Sequence, residues 1–227
     1  MNTWLWYHSG AQPAARNMAE DEALLAAMPR LKQPVLRFYA WSEPAATFGY
    51  FQKYAEVAGR TRLRPLIRRP TGGGMVPHDA DWTYSAAFPA GHEWHGLAAV
   101  ASYHRVHAWI QAAFGRLQVA TELAAVGRKT APGACFEGYE VSDVLWQGRK
   151  IAGAAQRRNQ LGLLIQGSVQ PPPLSLRRTD WEQALHESAQ EGWAIDWREW
   201  VPDGEFQAQT DGLVREKYAL TAHNQKR

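Results

Sequence analysis

The chain has 227 residues, a formal net charge of +3, a pI of about 9.1 and 21% charged residues, which allows a sizeable core and leaves only a mild basic bias. That balance suits an acidic partner without pointing to nucleic acid, and with no run of ~18 apolar residues there is no expected membrane span. A single cysteine, Cys135, excludes an internal disulfide, and a start without the basic and apolar regions of a secretion signal gives the expectation of a cytoplasmic protein.

Residues 4–8 read as a strand and 14–28 as a helix closed by Pro29, with Glu20 to Glu22 near the end where the helix dipole favours acids. Residues 35–41 form a strand, 44–52 an aromatic-rich loop hinged at Gly49, and a short helix starts near Tyr54. A strand over 66–69 feeds a glycine run. Residues 82–88 alternate as a strand, 89–96 are a turn-rich break, and 97–117 give a long helix with Val100, Tyr103, His107, Ile110 and Phe114 at helical spacing. Residues 127–138 are an irregular loop holding Cys135. Residues 140–146 and 149–158 pair as a hairpin about Gln147-Gly148, and 163–169 extend it to a meander. Pro171 to Pro173 stop the sheet; 179–190, capped by Thr179 or Asp180, and 206–218 are helices. The eleven tryptophans follow no repeat, so they read as core and rim residues. Strands that pair mainly as hairpins beside helices give an α+β class, with a mixed, mainly antiparallel central sheet flanked by helices. No linker divides the chain, so 1–227 read as one domain, with 174–227 a helical C-terminal extension packed on it.

Two stretches carry chemistry. In Arg68-Arg-Pro-Thr-Gly-Gly-Gly-Met-Val-Pro-His-Asp79, three glycines remove every Cβ, so backbone can take positive φ and lie against a ligand while Arg68 or Arg69 supplies a charged fork. No Gly-Lys-Ser/Thr follows, so this is not a phosphate-binding P-loop. Taken alone, the glycines read as a hairpin turn. The second stretch places Lys150 just past a tight turn, followed by Ile151-Ala-Gly-Ala-Ala155, small residues that admit a close approach to the strand. Other patterns fall short. His92-Glu-Trp-His95 is one residue short of a zinc-peptidase motif, His104 and His107 lack a third ligand, and no Gly-X-Ser-X-Gly elbow occurs.

Asn17-Met-Ala-Glu-Asp-Glu-Ala-Leu-Leu25, Phe48-Gly-Tyr-Phe-Gln52, the Arg68 to Gly74 run with His78-Asp79, Gly148-Arg-Lys-Ile-Ala-Gly153 with Ala155-Gln156, and Glu216-Lys-Tyr218 occur in this order over nearly the whole length. In combination they resemble the biotin/lipoate protein ligase catalytic-domain superfamily, in its lipoate-protein ligase A and single-domain octanoyltransferase branch. The resemblance implies one catalytic domain of that type, with a fatty acyl tunnel beside the glycine loop. The residues it assigns to substrate binding are Arg69, Thr71, Gly72, Gly73, Gly74, His78, Asp143, Gly153, Ala154 and Ala155. It implies that Lys150 contacts the acyl carbonyl or an acyl-adenylate. Acyl carrier protein is the implied donor. The implied acceptor is a lysine of a lipoyl carrier domain, on a 2-oxoacid dehydrogenase E2 subunit or the glycine cleavage H protein. Neither nucleic acid nor membrane is an implied partner, and no metal-binding residue is assigned. An eight-carbon chain brings about seven methylenes at ~0.8 kcal/mol each, enough to anchor it in an apolar slot.

Two chemistries share that scaffold. A ligase would activate a free acid with ATP and Mg; a transferase would need no cofactor and pass the acyl group through a cysteine thioester. Cys135-Phe136 stands where the single-domain octanoyltransferases keep their nucleophile, and Asp79-Ala-Asp-Trp-Thr-Tyr-Ser85 resembles their version of that segment. An accessory C-terminal domain of the kind some ligases carry is not expected. The transferase reading makes Cys135 and Lys150 the catalytic pair, a neighbouring cation favouring the thiolate. An ATP-dependent lipoate ligase and a non-catalytic homologue that binds carrier domains are the alternatives. A biotin ligase is disfavoured because its Gly-Arg-Gly-Arg loop is absent. His78 reads as positioning the loop, with proton transfer as its second reading; Asp143 reads as fixing Lys150 or as a cross-strand residue. Gln166-Gly-Ser168 departs from a common His-Gly-Ser, and His223-Asn224 from a Trp-Asn at the tail, where only packing is expected to change.

Overall fold

The computed structural model describes residues 2–128 and 138–226; Cys135 and Phe136 lie outside them. In chain order the elements are β1 (Asn2–Gln12), α1 (Ala14–Leu31), β2 (Val35–Trp41), β3 (Ala45–Phe48), α2 (Tyr54–Ala58), β4 (Leu66–Arg68), β5 (Val76–His78), β6 (Trp82–Pro89), α3 (Glu93–Gly96), α4 (Ala99–Arg116), β7 (Glu122–Leu123), β8 (Val144–Trp146), β9 (Arg149–Asn159), β10 (Gly162–Val169), α5 (Arg178–Trp193), β11 (Ile195–Glu199), α6 (Gly204–Leu213) and α7 (Thr221–Asn224). A π-helical turn, Val214–Tyr218, joins the last two helices.

The main sheet runs β11-β1-β2-β6-β10-β9-β8-β7, parallel across β11, β1 and β2 and antiparallel from there on. A second sheet, β4-β3-β5, stands beside it. This is the expected α+β class with a mainly antiparallel sheet. Gln147 and Gly148 take φ of 50° and 73°, the positive pair that a two-residue hairpin of matching twist requires.

Both faces of the main sheet are covered, which is why β6 and β10 are buried along their whole length rather than on alternate residues. Leu163 and Ile165 pack with Val106, Ile110 and Phe114 of α4 and Leu185 of α5, whereas Leu164 between them packs with Leu24 and Met28 of α1 and Phe206 of α6. The tryptophans enter this core: the Trp4 ring lies 5.3 to 6.1 Å from Phe88, Trp94, Trp109, Trp193 and Trp197, the separations favoured by offset and edge-to-face pairs.

Several local expectations are corrected. Helix α1 continues through Pro29 to Leu31 and ends at Lys32 in the left-handed region, because a proline in the last turn forfeits only its own N–H bond. Its acids do not serve the helix dipole. Glu20 and Asp21 are buried against the sheet, where Arg37 meets them at 2.6 and 2.7 Å. Residues 45–48, expected in a loop, form β3. The break at 89–96 contains α3, started by the His92 side chain accepting from Trp94 N–H. Val100 turns to solvent, and Ser102, Val106, Trp109 and Ala113 share the buried face instead. Helix α5 starts at Arg178 without a side-chain cap. Residues 174–227, expected to be helical, also supply β11, and the last long helix is capped by Asp203 and breaks at Leu213.

Burial of charge generates two predictions. Arg37 is fully buried with its two carboxylate partners, so Arg37→Ala strands Glu20 and Asp21 and should lower the unfolding free energy by about 3–5 kcal/mol in a urea titration. His107 and His186 are held near pKa 4 rather than 6.5, in each case chiefly by desolvation. The unfolded chain therefore binds more protons between those values. Stability is complete above pH 6.5 and should fall on acidification at up to about 1.4 kcal/mol per pH unit per histidine, a slope that His107→Gln should reduce.

Candidate active site

The glycine run joins β4 to β5. Among its glycines only Gly73 takes positive φ, +86°, so the freedom that the glycines allow is used at one residue. A Cβ on Gly73 would lie 2.7 Å from the Arg69 guanidinium, and one on Gly49 would lie 1.9 Å from the Gly73 carbonyl oxygen. The turn after β3 and the glycine loop thus meet backbone to backbone. Thr71 O accepts from Tyr50 N–H at 2.9 Å and closes the same contact.

The two arginines divide. Arg68 points away from the loop and is buried. Its guanidinium donates to the carbonyls of Tyr50 and Gln52, both at 2.7 Å, and to carbonyls of His223, Asn224 and Lys226, so it ties the C-terminal residues to the turn. Asn224 Oδ1 in turn accepts from Arg68 N–H at 3.0 Å. Arg69 is the one that faces the cleft, with Nε on the Thr71 hydroxyl at 3.2 Å and the Gly72 carbonyl at 3.0 Å.

Lys150 starts β9 and turns inward. Its side chain is 7% exposed, and Nζ lies 2.7 Å from Asp143 Oδ2. Asp143 is itself fixed by the Tyr103 hydroxyl at 2.5 Å and Glu140 N–H at 2.7 Å. Gly153 makes the fold-back possible, since a Cβ there would sit 2.5 Å from Lys150 Cε and 2.6 Å from Nζ. Arg128 and Tyr139 pair backbone to backbone at 2.7 and 3.0 Å, four residues before Asp143.

Between these parts lies a cleft of ≈ 480 Å³, mouth included. Met18, Val76, Gly73, Gly153, Ala154, Ala155 and Gly167 give it apolar and side-chain-free walls, with Lys150, Arg69, Gln166, His78, Ser168, Tyr39, Thr47 and Thr83 as its polar groups. The structure therefore brings Arg69, Gly73, His78, Lys150, Gly153, Ala154 and Ala155 to one cavity, with Thr71 and Asp143 bonded directly behind it and Gly72 and Gly74 completing the loop. An apolar slot with a few convergent polar groups at one end is the shape that binds an acyl chain and orients its carboxyl carbon.

Two hydrogen-bond chains stiffen the walls. In one, Gln166 accepts from Thr71 Oγ1 at 2.7 Å and donates to Asp21 at 2.6 Å, so α1, β10 and the glycine loop are linked. In the other, His78 Nδ1 faces Asp81 Oδ2 at 2.8 Å, and Nε2 meets Thr47 Oγ1 at 2.8 Å. With its proton on Nδ1 toward the carboxylate, the ring accepts from Thr47; it also stacks on Trp41 with centroids 3.8 Å apart. Asp21, Thr47, Asp81 and Tyr103 were not among the site residues expected from the sequence. Only Asp81 had a local signal, three residues beyond His78. The histidines considered for metal have other partners: His107 Nδ1 donates to Tyr103 O and His104 pairs with Ser142. Among the described residues no cluster of three metal-ligating side chains occurs, and no helix is long and apolar enough to cross a membrane.

Residues 13–170 match the lipoyl protein ligase A/B catalytic domain. The octanoyltransferase LipM of Carboxydothermus hydrogenoformans is 35% identical over 176 residues, 74% of this chain and 65% of that protein; LipM of Staphylococcus aureus is 31% identical over 180 residues, again 74% and 65%. The chain thus spans just under two thirds of these curated relatives. In three dimensions it is similar to a crystal structure of lipoate-protein ligase A bound with ATP, with a TM-score of 0.80 at 19% identity over 99% of both chains. It is also similar to a bi-partite lipoate protein ligase of Thermoplasma acidophilum, described with its E2 lipoyl domain, with a TM-score of 0.73 at 19% identity over 99% of this chain and 96% of that one. Fold, matched domain and relatives agree with the resemblance carried by the motifs, and the chain belongs to the lipoyl protein ligase A/B catalytic-domain family.

Proposed function

We propose that the protein transfers an octanoyl or lipoyl group from acyl carrier protein to a lysine of a lipoyl carrier domain through a thioester on Cys135. The observation that carries the reading is Lys150. Its ammonium is held by Asp143 in an apolar cleft, at the cavity lined by Gly73, Ala154 and Ala155. The relatives named octanoyltransferase support the donor chemistry, and the T. acidophilum ligase described with an E2 lipoyl domain supports the acceptor class.

In the proposed sequence the Cys135 thiolate attacks the carbonyl carbon of the carrier-bound thioester. The carbon–sulfur bond to the donor breaks, and the departing thiolate takes up a proton. Lys150 and backbone N–H groups of the cleft stabilise the oxyanion, an effect worth roughly 3 kcal/mol. The carrier-domain amine then attacks the acyl-cysteine, the bond to Cys135 breaks, and the amine proton leaves as the amide forms. Thioester to amide is downhill, so the reading requires neither nucleotide nor metal.

Intact mass spectrometry after mixing with octanoyl carrier protein, without nucleotide, should show one added octanoyl group on the wild-type protein and none on Cys135→Ala. Acylation of a lipoyl domain only with free octanoate, ATP and Mg would overturn the transferase reading in favour of the ligase. Lys150→Ala should lower kcat by about a hundredfold or more with the fold intact by circular dichroism. Gly153→Ala should act on the same step, because its methyl displaces the flexible end of Lys150 from Asp143 while the β9 ladder remains. Wild-type turnover in both variants would remove Lys150 from the mechanism.

A further inference from the structure

The turn between β3 and α2 presents Phe51 to solvent at 75% exposure. It is not a loose loop tip. Arg68 holds the carbonyls of Tyr50 and Gln52 on either side of it, Gln52 N–H donates to Gly49 O at 3.0 Å, and Gln52 Oε1 accepts from Gly49 N–H at 2.9 Å. A large apolar side chain is thus displayed on rigid backbone two residues from Gly49, the residue that touches the Gly73 carbonyl at the cleft. Rigid display of an aromatic residue costs little ordering entropy when a partner covers it.

Cations surround that anchor. Between Phe51 and Arg64 the chain places Lys53, Arg60, Arg62 and Arg64 against the single carboxylate Glu56, so these 14 residues carry an excess equal to the +3 of the whole protein. Arg64 is spent on local carbonyls of Ala58, Thr61 and Leu63. Arg60 and Arg62 are exposed and have no ion-pair partner among the described residues. Lys53 is exposed and shares Glu56 only at 3.5 Å. The stretch is a basic face with an apolar centre, the pattern that steers and seats an acidic protein.

Reach selects between the two carriers that the transferase reading involves. Arg60 to Arg64 precede β4, whose three residues put about 10 Å between that end and Arg69 at the cleft. A lysine's four-carbon stem does not by itself bridge that distance from a domain seated on those arginines. A thioester on a long phosphopantetheine arm can, and the arm's own phosphate adds an anion. We propose that Phe51 with Lys53, Arg60 and Arg62 docks the acidic carrier protein that delivers the acyl thioester. The inference rests on the transferase reading and names the surface through which its donor arrives.

The variant Phe51→Ser/Arg60→Glu/Arg62→Glu tests it. With octanoyl carrier protein its KM should rise at least about tenfold, the size expected on losing an anchor and reversing two rim charges. Its kcat, its KM for octanoyl-pantetheine and its KM for the lipoyl domain should stay at wild-type values. A rise confined to the lipoyl-domain KM, or no change in any, would overturn the proposal. Calorimetric titration with unacylated phosphopantetheinyl carrier keeps the two readings separable. Tight binding by wild type but not by the variant, without transfer by either, would leave the docking surface standing and sink the transferase instead; equal binding by both would sink the surface.

Discussion

A fully buried carboxylate organises this molecule. Asp21 accepts from Arg37, Ser85, Tyr39 and Gln166 at 2.7, 2.6, 3.0 and 2.6 Å, so each oxygen has two donors drawn from β2, β6 and β10. A buried charge is tolerated only when every lone pair is met in good geometry, and meeting them fixes α1 on the sheet in one position. Gln166 passes that constraint to Thr71, and Thr71 to Arg69. The glycine loop, whose residues have little side chain of their own to pack, is thereby positioned from the centre of the fold.

The two ends of the cleft are built on different principles. Its floor is a stretch of strand from which side chains have been removed, Gly153 to Ala155 facing Gly167, so that a hydrocarbon can lie against main chain. Its polar end is a cation whose position is set by two successive contacts, Tyr103 to Asp143 and Asp143 to Lys150. The proposed transfer to an amine would need its precision there, since it depends on the placement of one carbonyl group to within a fraction of an ångström, whereas burial of methylenes is non-directional.

Much of the scaffold was legible in the residues. Short runs rich in apolar residues gave β2 and β10, the alternation of 82–88 gave β6, and the Gln147-Gly148 dipeptide gave the hairpin that carries Lys150, because these depend on local pattern and turn chemistry. Strand β11 was not legible. Its Ile-Asp-Trp-Arg-Glu pairs with β1 across more than 190 residues, and such pairing leaves no local trace. Segment 45–48 was misread for a similar reason, since β3 is short and gains its partners from β4 and β5. At the site, the glycine run and Lys150 announced themselves through composition and turn context. Asp21 did not, because an acid inside a helix reads as a solvated face until Arg37 is seen opposite it. Tyr103 was read as a core-facing aromatic, and its hydroxyl found a carboxylate instead.

The late arrival of β11 also matters while the protein is being made. Strand β1 is eleven residues long, and its outer edge offers unpaired N–H and C=O groups until residues 195–199 have left the ribosome, nearly the whole length of the chain later. For that interval a nascent chain exposes a template for intermolecular pairing. Once in place, β11 covers Asn2 to Trp6 of that edge with a five-residue margin bearing Asp196, Arg198 and Glu199, a short charged border on which another strand gains little by adding itself.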